Sequence, residues 1–409
     1  MPAFYPTAVA RLSQTARIMS QIKDVYIISA ARTPVGSFNG SLKKATAPEL
    51  GTVAVKAAIE RAGLKPDQIE EVYMGNVLQG NVGQAPARQV VLKSGCPEST
   101  EATTINKVCA SGMKSISLAA QNIALGQRGI MVAGGMESMS NAPYYLPRGA
   151  ASFGHLQALD AIVKDGLHDV TNQVAMGVCA ENTAKKLSLT REMQDAYAIE
   201  SYRRAADAWK AGAFANEIAP VTISDKKGDI VISEDEEYKN VKLEKIPTLR
   251  PVFDKNGTVT AANASTLNDG ASAVVLASAD EVQKKGLKPL AKIVAFADAA
   301  CAPIDFPIAP AYAIPKALEK AGLTTDDISL FEINEAFSAV ALANNQMLGL
   351  DASKVNVLGG GVSLGHPIGS SGARIVVTLA HALKPGQYGC AGVCNGGGGA
   401  SAIIIKREA

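Results

Sequence analysis

Short runs of β-branched and aliphatic residues alternate along the chain with Ala-rich stretches whose apolar positions recur at helical spacing. VYIISA (26–31) predicts a strand, Ala47 to Ala62 a helix, and EEVYMG (70–75) a second strand. TTINKV (103–108) predicts a strand running toward an Ala-rich helix from Ser115 to Leu125. Alternation of this kind argues for helices layered on sheet. The segment AAIERAGLKPDQIEEVYMGN (57–76) returns as KALEKAGLTTDDISLFEINE (316–335), with Ala-Gly-Leu, an Asp and an Ile at the same spacing. The fold class is therefore α/β, built from two copies of one unit.

Between the copies the texture changes. Residues 140–262 hold a helix-like stretch at 179–212 and a polar, Lys/Asp/Glu-rich stretch at 224–247. This reads as an inserted loop domain, where ligand contacts concentrate. It leaves residues 23–139 with 263–290 as the first half and 291–409 as the second.

Composition narrows the function classes. The 409-residue chain has 40 basic and 38 acidic side chains, so no strong field calls for nucleic acid or a membrane surface. No apolar run reaches the roughly 18 to 20 residues that span a bilayer. The six cysteines form neither a dense disulfide framework nor CxxC pairs, which suits a reducing compartment. Before Asp24 there is no acidic residue, and Arg11 and Arg17 lie among Ser, Thr and Ala. Residues 1–22 thus have the texture of a mitochondrial transit peptide, with a cytoplasmic location as the alternative.

Four motifs carry chemistry. Cys109 stands between a strand and a helix, where the helix dipole and unpaired N–H groups are expected to depress a thiol pKa; a free cysteine is otherwise commonly an inert core residue. His366, in GGGVSLGHPIGSSGAR (359–374), is the one histidine set between glycine and proline and suits a general base, while His155, His168 and His381 read as surface or structural. GVCNGGGGASAIIIK (392–406) carries Cys394 and either a backbone oxyanion site or a plain glycine hairpin. FEINEAF (331–337) sets Asn334 and Glu335 after a strand, as a polar pair or a helix cap.

Together NKVCASGMK, NEAF, GHPIGSSGAR and CNGGGGAS, with GNVLQGNVGQAPARQ (75–89), VAGGMESMS (132–140) and NASTLNDGA (263–271), resemble the thiolase family in order and spacing beyond residue 22. The resemblance implies a thiolase fold: two α/β halves in an α-β-α-β-α core, a loop domain inserted for CoA binding, and a homotetramer arranged as a dimer of dimers. It implies that Cys109 accepts an acyl group from an acyl-CoA and that His366 activates it. His366 and a water on Asn334 would then hold the second thioester oxygen, and Cys394 would take the α-proton. Backbone N–H groups of Cys109 and Gly396 would form the other oxyanion hole.

Within the family the chain is most similar to the short-chain branch that makes and cleaves acetoacetyl-CoA. That likeness assigns substrate and CoA contacts to Leu167, Met176, Tyr202, Asn240, Val241, Lys242, Lys245, Ser265, Phe306, Pro307 and Phe337. Phe306-Pro307 resembles a pair that admits a 2-methyl branch, linking the chain to isoleucine and ketone-body metabolism as well as to the mevalonate and ergosterol route. Tyr202 and the carbonyls of Ala261, Ala262, Ala264 and Val362 resemble the potassium site of mitochondrial members. No organic cofactor beyond coenzyme A is implied. One departure is Ala175-Met176-Gly177, where many members have His-Met-Gly.

Three other readings compete: a longer-chain 3-ketoacyl-CoA thiolase of β-oxidation, a Cys-His-Asn protease built on Cys109, His366 and Asn334, and a CoA- or nucleotide-binding module without catalysis.

Overall fold

In the computed structural model the described residues are 22–149, 153–226 and 228–409. All of the expected leader except its last residue lies outside them.

The repeated segment folds twice in the same way. Its first copy gives helix α1 (Ala47–Arg61) and strand β2 (Glu71–Gly75); its second gives α6 (Pro310–Ala321) and β7 (Ile328–Ile333). The shared Ala-Gly-Leu is the helix stop: Gly63 and Gly322 take φ of 68° and 67°, the left-handed conformation that ends a helix without a Cβ penalty.

The other main strands are β1 (Val25–Arg32), β3 (Glu101–Ile105), β4 (Ile130–Ser138), β5 (Asn268–Ser278), β6 (Ala291–Ala300), β8 (Tyr388–Asn395) and β9 (Gly399–Arg407). They run in the order β7-β8-β9-β6-β1-β5-β4-β2-β3. Read outward from the β6–β1 junction, the two halves match. β1-β5-β4-β2 answers β6-β9-β8-β7, with the last pair parallel and the others antiparallel in each. Even the irregularities correspond, since β1 slips register between Ile27 and Ser29 and β6 between Ile293 and Ala295. Within the sheet the halves pair through Val25–Ile293, Tyr26–Lys292 and Ile27–Ala291. β5 follows the inserted segment in sequence yet lies between β1 and β4, so the first half closes around the insertion.

Packing gives the five layers. α1 and α2 (Pro86–Lys93) cover the outer face of the first half. α3 (Ser111–Ala124) and α8 (Ile368–Ala382) form the central layer, and α6 covers the second half. The two central helices nearly touch. A Cβ on Gly112 would stand 2.7 Å from the Ala373 nitrogen, and one on Gly372 would stand 2.8 Å from the Met113 nitrogen. Only glycines allow this crossing, and it brings the first turn of α3 beside the first turn of α8.

α3 starts at Ser111, directly after the Cys109 turn, as a cysteine at a helix N-terminus requires. One sequence expectation needs correction. The stretch at 179–212 is two helices, α4 (Met176–Lys186) and α5 (Arg191–Lys210), broken at Ser188 with φ of 53°. Thr190 caps the second helix by accepting from the Met193 N–H at 3.3 Å. The inserted region is tied to β1 by a buried ion triad. Arg32 reaches Glu217 at 2.5 Å and Asp235 at 2.7 Å, all essentially inaccessible. Buried charges hold only when paired and hydrogen-bonded in this way.

Candidate active site

Cys109 occupies the sharp turn between β3 and α3. The residue before it, Val108, has φ of 48°, a costly conformation for a β-branched side chain. Neighbouring bonds hold it there: Val108 N–H donates to Asn106 Oδ1 at 3.0 Å, and Lys107 N–H donates to Ser111 Oγ at 2.8 Å. The Cys109 N–H from this turn and the Gly396 N–H from the loop after β8 both reach the Cys109 sulfur. That is the donor pair expected of an oxyanion site at this sulfur.

The expectation of a depressed Cys109 pKa is overturned. Burial pushes the thiol up to about 11, and the two backbone N–H groups only partly offset this. Desolvation outweighs the helix terminus because the second half closes over the sulfur. Cys394, at the end of β8, is pushed still further above the usual thiol range by burial and by the Cys109 charge. Both thiols are therefore protonated at rest.

His366 is buried and neutral. Burial, and then the Arg374 guanidinium, lower its pKa from 6.5 to about 3. Its main-chain N–H donates to Asn268 Oδ1 at 2.8 Å, which fixes the loop, while Nδ1 lies 2.5 Å from Ser371 Oγ. Nε2 has no hydrogen-bond partner among the described residues, and neither polar atom of the fully buried Asn334 side chain has one. Buried polar atoms left unpaired cost free energy, so Nε2, on a cavity-lining side chain, marks a place built for a ligand, while Asn334 lies outside the cavity lining.

The cavity has a volume of ≈ 290 Å³ and is lined by Cys109, His366 and Gly396 together with Leu167, Met176, Ser265, Phe306 and Phe337, all named from the sequence. Ala264 also lines it. Sequence reasoning missed Met139, Val163 and Phe253. Phe253 stands edge-on to Phe337 with ring centroids 6.4 Å apart, and its ring fills the space a side chain on Gly177 would need.

The remaining candidates lie outside the cavity lining. Pro307 is buried, and its carbonyl accepts from Asn344 Nδ2 at 2.8 Å. Asn240, Lys242 and Lys245 are exposed, with Asn240 Nδ2 donating to Ser37 Oγ at 3.0 Å. Tyr202, Ala262 and Val362 share one cluster with the half-buried Val241, separate from the cluster that holds Ala264. Glu335 does not cap a helix. Its carboxylate accepts from Tyr197 and Ser201 at 2.8 Å, Asn356 at 3.0 Å and the Val362 N–H at 3.1 Å, locking the loop ahead of His366. The Cys-His-Asn protease reading fails here, because the partner of His366 Nδ1 is Ser371 and not Asn334.

Comparison with known proteins agrees with this geometry. The profile described as "Thiolase, N-terminal domain" matches residues 25–280, and "Thiolase, C-terminal domain" matches residues 287–407. A rat protein named mitochondrial acetyl-CoA acetyltransferase is 62% identical over 388 residues, covering 94% of this chain and 92% of its own length. Among solved structures, an Ascaris suum thiolase, Acat5, in complex with coenzyme A is 54% identical with a TM-score of 0.91, covering 94% of this chain and 100% of that one. Human mitochondrial 3-ketoacyl-CoA thiolase is 41% identical at the same TM-score, covering 94% and 99%. Two matched domains, relatives of this similarity and a shared fold make this chain a member of the thiolase family.

Proposed function

We infer that the chain is an acetyl-CoA C-acetyltransferase, joining two acetyl-CoA reversibly into acetoacetyl-CoA and CoA through an acetyl-cysteine on Cys109. Relatives of that name at 62% and 60% identity support it over the β-oxidation alternative, whose named example is 41% identical. The observation that carries the mechanism is one cavity lined by both Cys109 and the unpartnered His366 Nε2, with burial favouring the neutral thiol.

The proton count then sets the order of events. Nε2 takes the Cys109 proton as the sulfur attacks the thioester carbonyl, and the Cys109 and Gly396 N–H groups stabilise the oxyanion. Cys394, protonated at rest, gives its proton to the departing CoA thiolate. That leaves an acetyl-cysteine, an imidazolium and a Cys394 thiolate. The thiolate removes the α-proton of the second acetyl-CoA, while His366 Nε2–H and a water held by Asn334 stabilise the enolate oxygen. The enolate carbon attacks the acetyl-cysteine, Cys109 leaves as thiolate, and His366 returns its proton. Splitting the reaction this way produces ping-pong kinetics.

The exposed Lys242 and Lys245 suit the phosphates of CoA, while Leu167, Met176, Ser265 and Phe337 line the path of its pantetheine arm. A potassium ion fits beside Tyr202. The carbonyls of Ala261, Ala262 and Ala264 accept no hydrogen bond among the described residues, and the buried Glu237 and Glu335 add negative charge near the Tyr202 ring. Carbonyl oxygens suit a hard cation, which would order the loop under the CoA site. The half-exposed edge strand β3 and the exposed Tyr144, Leu146, Phe153 and Leu156 are surfaces that a tetramer would cover. The leader-like N-terminus and the mitochondrial relatives support a mitochondrial location.

Thiolysis of acetoacetyl-CoA and 2-methylacetoacetyl-CoA, each in K⁺ and in Na⁺, tests this reading. Cleavage of both with a preference for K⁺ supports it. Preference for a long-chain 3-ketoacyl-CoA over acetoacetyl-CoA overturns the assignment, failure on the 2-methyl substrate overturns the role of Phe306-Pro307, and indifference to the ion overturns the potassium site.

A further inference from the structure

Ser371 lies one turn into α8 and is fully buried beside His366, at 2% and 4% exposure. Its Oγ donates to the Pro367 carbonyl at 2.9 Å, the bond a helical serine makes to the residue four before it. A hydroxyl has one hydrogen. With that hydrogen committed to Pro367, Oγ can only accept from His366 Nδ1, 2.5 Å away. A neutral imidazole has one N–H, so an N–H at Nδ1 leaves Nε2 as a bare lone pair. Nε2 is also the ring nitrogen that makes no hydrogen bond to any described residue, and it belongs to a cavity-lining side chain.

We propose that Ser371 is a positioning residue that fixes the tautomer of His366, holding the proton on Nδ1 so that Nε2 stands ready to accept the Cys109 proton. The proposal rests on the acyl-cysteine reading and deepens it. Ser371 serves both charge states of the ring, because Nδ1–H is a donor in the imidazole and in the imidazolium alike. Among the described residues no carboxylate bonds to Nδ1; a hydroxyl orients the ring without stabilising the imidazolium as an anion would, which suits a base that must give its proton back at the end of the cycle. The crossing at Gly112 and Gly372 holds the backbone beside Ser371 in place.

Without Oγ, the buried Nδ1–H has no acceptor and the ring can adopt the other tautomer, whose Nε2–H cannot take the thiol proton. Ser371→Ala should lower kcat roughly 10²-fold, the scale of a misplaced general base, with little change in KM. Ser371→Thr keeps an oxygen that can make both bonds and should restore most of the loss. Direct observation is practical because the chain has only four histidines. With ¹⁵N-labelled histidine, and His366 assigned from His366→Asn, the wild-type spectrum should show a protonated Nδ1 and a bare Nε2. A protonated Nε2 in the resting enzyme overturns the proposal, as does a folded Ser371→Ala enzyme with unchanged kcat. The wild-type spectrum decides the matter even where the alanine variant fails to fold. Failure of the acyl-cysteine reading itself would appear separately, as activity surviving in Cys109→Ala.

Discussion

Lys107, two residues before Cys109, reaches across the junction of the two halves to Asp298 on β6, with Nζ 2.7 Å from Oδ1. The same ammonium donates to the Ala400 carbonyl at 3.1 Å and to Ser401 Oγ at 2.8 Å, so β6 and β9 of the second half hold the turn that presents Cys109 from the first. Burial pushes Asp298 up, yet hydrogen bonds from Lys107, Lys114 and Ser401 outweigh it and bring the carboxyl down to about 2. A depressed carboxyl contributes stability above its usual pKa of 3.8 and loses it as pH falls through about 2, so the link is intact at every working pH.

Lys107→Ala should therefore slow acylation of Cys109 by acetyl-CoA several-fold while lowering stability by no more than about 1 kcal/mol, since Asp298 is 40% exposed. Single-turnover acylation and urea unfolding separate the two effects. An equal loss in both would mean that the pair is only a structural tie.

The helix crossing gives a steric prediction. Gly112→Ala puts a methyl 2.7 Å from the backbone nitrogen of Ala373, where no flexible atom can give way. Forcing the helices apart should cost roughly 1–3 kcal/mol, read from the unfolding midpoint. Activity should fall as well, because Cys109 and His366 sit at the adjoining ends of these helices.

Burial keeps both Cys109 and His366 neutral at rest, and this determines how the thiol reacts. With the thiol near 11 and the imidazole near 3, alkylation of Cys109 by iodoacetamide should quicken with each step of pH from 6 to 9 and show no plateau. A rate flat across that range would reveal a thiolate–imidazolium pair instead.

The buried histidine also shapes acid stability. Its folded pKa of about 3 lies below the ordinary 6.5, so as pH falls below 6.5 the unfolded chain takes up a proton that the folded one refuses. Stability is present above 6.5 and lost progressively toward 3. At pH 5 the loss is on the order of 2 kcal/mol from this side chain. His366→Asn should shrink the difference in unfolding free energy between pH 7 and pH 5 by that amount, as measured by urea titration at both pH values.

Much of this was legible because the chemistry sits at the ends of elements that short motifs encode. The Ala-Gly-Leu repeat marked both helix stops, and the glycines around Cys109, His366 and Cys394 marked turns that the fold confirms. The thiol pKa was not legible. A helix terminus can be read locally, but the burial that overrides it comes from the second half closing over the first. Phe253 was hidden for the same reason, since its partner Phe337 lies across the inserted region. Ser371 was the near miss: it stands five residues after His366 in GHPIGSSG, but only the bond to Pro367 reveals which way its proton points. The break at Ser188 could have been read from Ser188-Leu189-Thr190, a polar pair and cap within an otherwise continuous pattern.

The central claim is an acetyl group carried on Cys109. Wild-type enzyme should be mixed with acetyl-CoA, quenched in acid, digested and mapped by mass spectrometry alongside Cys109→Ala and Cys394→Ala. The account predicts acetylation of the peptide bearing Cys109 in wild type and none in Cys109→Ala, together with loss of acetoacetyl-CoA thiolysis in that variant. An acetyl group found only on Cys394, or thiolysis retained by Cys109→Ala, would contradict it.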